Sequence, residues 1–143
     1  MKYIGTKIVE AEPDVCIWKD QKTGDIHIED GYKITYKDGY VSASPKDVFE
    51  EAYRPIEAMN FGLAIEAAKM GHRIARHGWN GEGQYVELGH DFQYDTYNGG
   101  IVSYHEDIKG QALVFVGTRG RQVGWLASQA DMLADDWYIV GEE

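Results

Sequence analysis

Gly124-Trp125-Leu126-Ala127-Ser128-Gln129-Ala130-Asp131-Met132-Leu133-Ala134-Asp135-Asp136-Trp137 is the stretch whose reading decides the fold. Ser128 followed three residues later by Asp131 is a helix start, because the hydroxyl can accept from the Asp131 N–H while the carboxylate reaches back. The pattern predicts a short helix through Leu133. Trp137-Tyr138-Ile139-Val140 then reads as a strand. A single helical turn feeding a strand, in a chain of other short alternating runs, predicts an α+β fold with small antiparallel sheets and two or three short helices.

Working outward, Ala112 to Val116 predicts a buried strand, with Thr118-Arg119-Gly120-Arg121 as a turn. Tyr85 to Leu88 and His72 to Arg76 predict two more strands. Asn60 caps a helix whose apolar face is Phe61, Ala64, Ile65 and Ala68, ended by Gly71. The polar, aromatic run from Gly89 to Gly110 is compatible with either a hairpin or a loop. Nearer the N-terminus, Tyr3 to Glu12 predicts a strand ending at Pro13, and Val15 to Trp18 a second. Two further strands are expected around Ile26 and Tyr32, split at Asp30-Gly31. Lys37-Asp38-Gly39-Tyr40 is a hairpin turn. Ser44 as N-cap and Pro45 at the first helical position open a helix that Arg54-Pro55 stops. These elements fall into a β-rich extension with one helix, residues 1–58, and a domain over residues 59–143.

The chain has 143 residues and a formal net charge of −10, which excludes a general nucleic-acid binder, since that affinity comes from clustered Lys and Arg. No apolar run is long enough to span a membrane. Met1-Lys2-Tyr3-Ile4-Gly5-Thr6 runs straight into alternating sequence, so no signal peptide is expected. The single cysteine, Cys16, fits a reducing compartment. The histidines and aspartates lack metal-ligand spacing, so no metal and no cofactor is expected.

Two clusters put large flat aromatics beside polar donors. Trp79-Asn80 sits between Gly78 and Gly81, where the backbone can come close to a ligand. An indole face stacks on a base and an Asn amide reads a ring edge or a hydroxyl. Trp125, Ser128 and Asp131 form the second cluster, with Asp131 placed to accept from ribose hydroxyls or an amino group. Arg119 and Arg121 are the best-placed cations for phosphate. Each feature also has a plain structural reading: a turn with a core tryptophan, a capped helix, and solvated arginines. Neither cluster holds a nucleophile–base pair, so a binding protein is expected rather than an enzyme.

Met59-Asn60-Phe61-Gly62-x-Ala64-x-x-Ala67, Ala75-Arg76-x-Gly78-Trp79-Asn80-Gly81 and the 125–137 stretch, taken together, resemble the second type of Thoeris anti-defence protein. This is a small phage and prophage domain, and the resemblance covers residues 59–143. It implies an α+β homotetramer with a nucleotide pocket at a subunit interface. It also implies a non-enzymatic sponge, acting in the cytoplasm of the infected host. Such a sponge holds the glycocyclic ADP-ribose isomer made by Thoeris TIR proteins, and some relatives also hold cyclic dinucleotides. On this reading Trp79 and Trp125 are stacking or wall residues, Asn80, Ser128 and Asp131 polar contacts, and Phe61 a pocket aromatic. A phage protein-interaction module or DNA mimic, and a nucleotide phosphodiesterase, are the competing readings.

Overall fold

The computed structural model describes residues 1–90, 92–95, 101–104 and 110–142, with the side chains of 92–95 and 101–104 excepted. The fold is α+β, and the chain divides into two compact units, Met1–Arg54 and Pro55–Glu143.

The first unit is a three-stranded antiparallel sheet with one helix. Its strands are β1 (Glu10–Lys19), β2 (Ile26–Thr35) and β3 (Val41–Pro45), in that spatial order. The sequence divides β1 and β2 into four shorter strands, and the structure corrects both divisions. Pro13 lies inside β1, opposite Tyr32. It is tolerated there because β1 is an edge strand, where a missing N–H breaks no ladder on the open side. Residues 1–9, expected to begin the first strand, carry no strand or helix.

Asp30-Gly31 likewise stays within β2. A side chain at Gly31 would run into the Ser44 carbonyl oxygen on β3 and the Cys16 Cβ on β1. Glycine is therefore a packing requirement there, and not a turn. The Asp38-Gly39 turn is as expected, with Tyr36 and Tyr40 hydrogen-bonded across it and Gly39 at φ +87°.

Helix α1 (Lys46–Ala52) begins one residue later than predicted. Ser44 and Pro45 finish β3, Pro45 occupies the cap position, and no side chain caps the helix. The helix packs on β2 through Phe49, whose ring stacks on Tyr32 at 4.2 Å.

In the second unit, Asn60 caps helix α2 (Phe61–Lys69) by accepting from the Leu63 N–H at 2.9 Å. Gly71, at φ +98°, follows the helix end. The remaining strands are β4 (Ile74–Arg76), β5 (Tyr85–His90), β6 (Phe92–Asp95), β7 (Ile101–Tyr104), β8 (Gln111–Gly117), β9 (Gly120–Val123) and β10 (Trp137–Ile139). Helix α3 (Gln129–Met132) precedes β10. Five strands form one antiparallel sheet in the order β10-β4-β5-β8-β9. The segment left open in the sequence contains a two-stranded hairpin, β6-β7. Residues 91, 96–100 and 105–109 of that segment lie outside the described residues. β9 is an addition to the expected elements: the turn is confined to Thr118-Arg119, and Gly120, at φ +105°, already pairs with Gly117.

The core of this unit is Met59, Ala64, Ala67, Ala68, Ile74, Val86, Trp137 and Ile139. Three alanines on the buried face of α2 let that helix approach the sheet closely. The volume they leave is filled by Trp137, which is fully buried. Residues 55–58 go with this unit because Ile56 accepts from the Ile139 N–H at 3.0 Å and Met59 exchanges both backbone hydrogen bonds with Trp137.

Gly31→Ala is expected to destabilise the first unit by about 1–3 kcal/mol, the usual cost of overpacking a tight site. Chemical denaturation followed through β-sheet circular dichroism measures it, and an unchanged midpoint would contradict the close packing of β1, β2 and β3 at Gly31.

Candidate functional site

The site is organised by an arginine held between two aspartates. Arg76 ends β4 with its guanidinium pointing to the segment around α3. Its Nε donates to Asp136 Oδ1 at 2.8 Å and its Nη1 to Asp131 Oδ1 at 2.9 Å. The other oxygen of Asp136 accepts from the Gly78 N–H at 2.7 Å. Asp136 thus holds both ends of the turn that follows β4. A side chain on Gly78 would come within 2.9 Å of Asp136 Oδ2 and would push that carboxylate away from the Gly78 N–H. His77, in the same turn, stacks on Tyr138 at 4.2 Å, with Nε2 lying 3.1 Å from the Glu57 carbonyl.

Asp131 is the centre of the arrangement. Its Oδ1 accepts from Trp79 Nε1 at 3.0 Å as well as from Arg76. Its Oδ2 accepts from the Ser128 N–H at 3.1 Å and the Ser128 hydroxyl at 2.8 Å. Ser128 Oγ in turn accepts from the Asp131 N–H, completing the expected capping box. The Asp131 carbonyl accepts from Trp137 Nε1 at 2.9 Å. Four donors fill the carboxylate, which has about four lone-pair sites.

Burial of the Asp131 carboxyl pulls its pKa up. The hydrogen bonds from Trp79, Arg76 and Ser128 outweigh that and lower it to about 2. Asp136 is lowered as well, first by the hydrogen bond from Arg76, with burial opposing and the Gly78 N–H assisting. Arg76 is raised, chiefly by its hydrogen bonds to Asp136 and Asp131.

This network positions an open cavity of about 260 Å³. The β4–β5 connection supplies Trp79, Asn80, Gly81 and Gln84; β8 supplies Phe115; the approach to α3 supplies Trp125; and α3 supplies Asp131. Trp79 meets Trp125 edge-to-face, with centroids 6.1 Å apart and planes at 70°. Trp79 packs the same way on Trp137 at 5.3 Å and on Phe115 at 5.7 Å. Two walls at 70° cannot sandwich one ring between parallel faces. A planar ligand stacked on one indole meets the other edge-on, an arrangement aromatic pairs favour.

Of the residues singled out from sequence, Trp79, Asn80, Trp125 and Asp131 come together at this cavity. Ser128 stands behind it as the cap that holds Asp131. Phe61 lies away from it, tilted against Trp137 at 5.5 Å within the core. Arg121, on β9, is ion-paired with Glu87, which also faces Arg73 at 3.6 Å. Arg119 is exposed in the β8–β9 turn, and neither arginine lines the cavity. No metal-binding group of His, Cys, Asp or Glu occurs among the described residues.

The placement of three participants is visible only in three dimensions. Gln84 lies between the glycine-flanked Trp79-Asn80 pair and the strand expected from Tyr85, and Phe115 belongs to a segment that reads as a buried strand. Arg76 lies 55 residues from Asp131 and 60 from Asp136 in the chain.

The Thoeris anti-defense 2-like domain family matches residues 59–140. The chain belongs to this anti-defence family. It is also similar to Thoeris anti-defense 2 of Bacillus phage SP01, 35% identical over 85 residues, a match spanning 57% of this chain and 94% of that protein. The matched region begins at Met59 and ends at Val140, so it contains α2, all of the cavity and the Arg76–Asp131–Asp136 network.

Two outcomes follow from the network. Because the folded-state pKa of Asp131 is depressed from 3.8, its contribution to stability is complete above about pH 5. That contribution fades as the pH falls toward 2 and amounts to roughly 2 kcal/mol. Urea midpoints between pH 5 and pH 2 are expected to fall more steeply in the wild type than in Asp131→Asn; parallel curves would refute the assignment. Arg76→Ala is expected to cost about 2–3 kcal/mol, between the values for surface and buried ion pairs, because it strands two partly covered carboxylates. A melting temperature equal to the wild type would show that the clamp does not hold the fold.

Proposed function

We propose that this protein is a phage anti-defence protein that binds and sequesters a nucleotide signal of the Thoeris system without degrading it. The observation that carries the proposal is the cavity itself, lined by two tryptophans and by the carboxamide residues Asn80 and Gln84, built entirely within the family's domain. Indole faces suit a nucleobase, and carboxamides suit its hydrogen-bonding edge.

The chemistry of the lining favours holding over turnover. Asp131 is the single ionisable side chain among the described lining residues. A carboxylate with a pKa of about 2 and four donors already in place is a poor general base near neutral pH. Nor does the described lining offer a nucleophile paired with a base. Release of an intact ligand is the behaviour this favours.

The signal proposed is the glycocyclic ADP-ribose isomer, with cyclic dinucleotides as further ligands. At about 260 Å³ the cavity lies below the roughly 300–1,000 Å³ typical of sites that enclose a whole small molecule. It therefore suits one ring system, with the rest of the ligand beyond it. In the proposed homotetramer a neighbouring copy covers that remainder, which adds the desolvated contacts that nanomolar binding, about −12 kcal/mol, requires. The site of action proposed is the infected host's cytoplasm.

The test is a release assay. The purified protein is mixed with cyclic ADP-ribose isomers and cyclic dinucleotides, depletion of free ligand is measured, and the protein is then heat-denatured. Stoichiometric recovery of unaltered ligand is expected; recovery of an altered nucleotide would make the protein an enzyme, and no depletion would favour a protein-interaction role. Trp79→Ala is a poor control, because Trp79 also packs on Trp137, Trp125 and Phe115, and its loss is expected to cost about 3–5 kcal/mol of stability. Asn80→Ala, at an exposed position, is the better control, with weakened binding and an unchanged melting temperature expected.

A further inference from the structure

Gln84 lines the cavity on the same connection as Asn80, and its side chain lies directly against the backbone of Gly81. A Cβ on Gly81 would fall inside the Gln84 carboxamide, overlapping its carbon, nitrogen and oxygen. Gly81, unlike Gly83 two residues on, is not held at positive φ. Its backbone therefore suits an L-residue, and the nearest obstacle to a Cβ is the Gln84 head group. We infer that Gln84, seated on Gly81, is a specificity-determining residue that reads the edge of a planar ring lodged against the tryptophans. The inference rests on the cavity being the nucleotide site.

The class of ring follows from the lining. A carboxamide presents one acceptor and one donor side by side, and pairs with a ring edge offering a donor next to an acceptor, as adenine does at N6 and N7. Guanine offers two acceptors there, the pattern that Arg or Lys reads. No arginine or lysine is among the described lining residues, and the ionised Asp131 repels a further acceptor. The cavity accordingly selects an adenine-type edge over an edge with a carbonyl in place of the amino group.

At the N6–N7 edge, deamination of adenine replaces the donor by an acceptor, with little change in size and none in charge; ring N1 turns from acceptor to donor at the same time. The experiment compares, by isothermal titration calorimetry, the glycocyclic ADP-ribose isomer and its hypoxanthine counterpart. The proteins are the full-length wild type, Gln84→Leu, Gly81→Ala and the double variant. The wild type is expected to prefer the adenine form by about tenfold or more, the value of one good bidentate pair. Gln84→Leu and Gly81→Ala should each reduce that preference to less than about threefold. The double variant should lose nothing further, because both changes remove one interaction. Gly81→Ala should keep the wild-type melting temperature, since a flexible side chain and not backbone is displaced.

Discrimination retained by Gln84→Leu would overturn the inference while leaving the nucleotide-site reading intact. Discrimination lost in Gln84→Leu but kept in Gly81→Ala would overturn the seating role of Gly81. Failure of the wild type to bind either form would overturn this inference together with the function on which it rests.

Discussion

The second unit depends on how the Asp131 carboxylate is satisfied. A carboxylate taken partly out of water is costly unless every lone pair finds a donor. Here the donors come from three places in the chain: Ser128 on the same helical turn, Trp79 after β4, and Arg76 at the end of β4. One group therefore fixes the helix start, the orientation of an indole and the position of a strand end. Asp136 repeats the device on a smaller scale by holding Arg76 and the Gly78 N–H together. The tryptophan of the cavity wall is held by a hydrogen bond as well as by packing.

The same saturation bears on function. A side chain whose lone pairs are filled from within the chain is poorly disposed to act on a ligand directly. Under the proposed function, recognition falls to the groups presented around it, the indoles, Asn80 and Gln84. In that proposal stacking supplies sequence-tolerant affinity, and carboxamides supply discrimination. The first unit reaches stability by a different route, through close approach of three strands at Gly31 and a stack of Phe49 on Tyr32 and Tyr53.

Local signals in the sequence were reliable wherever the physics is local. The Asn60 cap, the Ser128–Asp131 capping box and the Asp38-Gly39 turn each involve residues within four positions of one another, and each is present. The failures share one cause. Pro13, Asp30-Gly31 and Ser44-Pro45 read as breaks because such residues usually interrupt structure. An edge strand, a close strand packing and a strand running directly into a helix instead absorb them.

By itself the sequence determined the α+β class, the Asn60 and Ser128 helix caps, and the family, whose motif spans both tryptophan clusters. It also brought forward Trp79, Asn80, Trp125 and Asp131, because aromatic and polar residues crowded into short runs are legible without coordinates. Only the tertiary structure decided that Asp131 is also spent on Trp79 and Arg76, and that Phe61, Arg119 and Arg121 do not line the cavity. It alone placed Gln84 and Phe115 in the wall. Those assignments turn on pairings across 30 to 60 residues of chain, where side-chain direction is set by sheet register and packing, quantities that no local window contains.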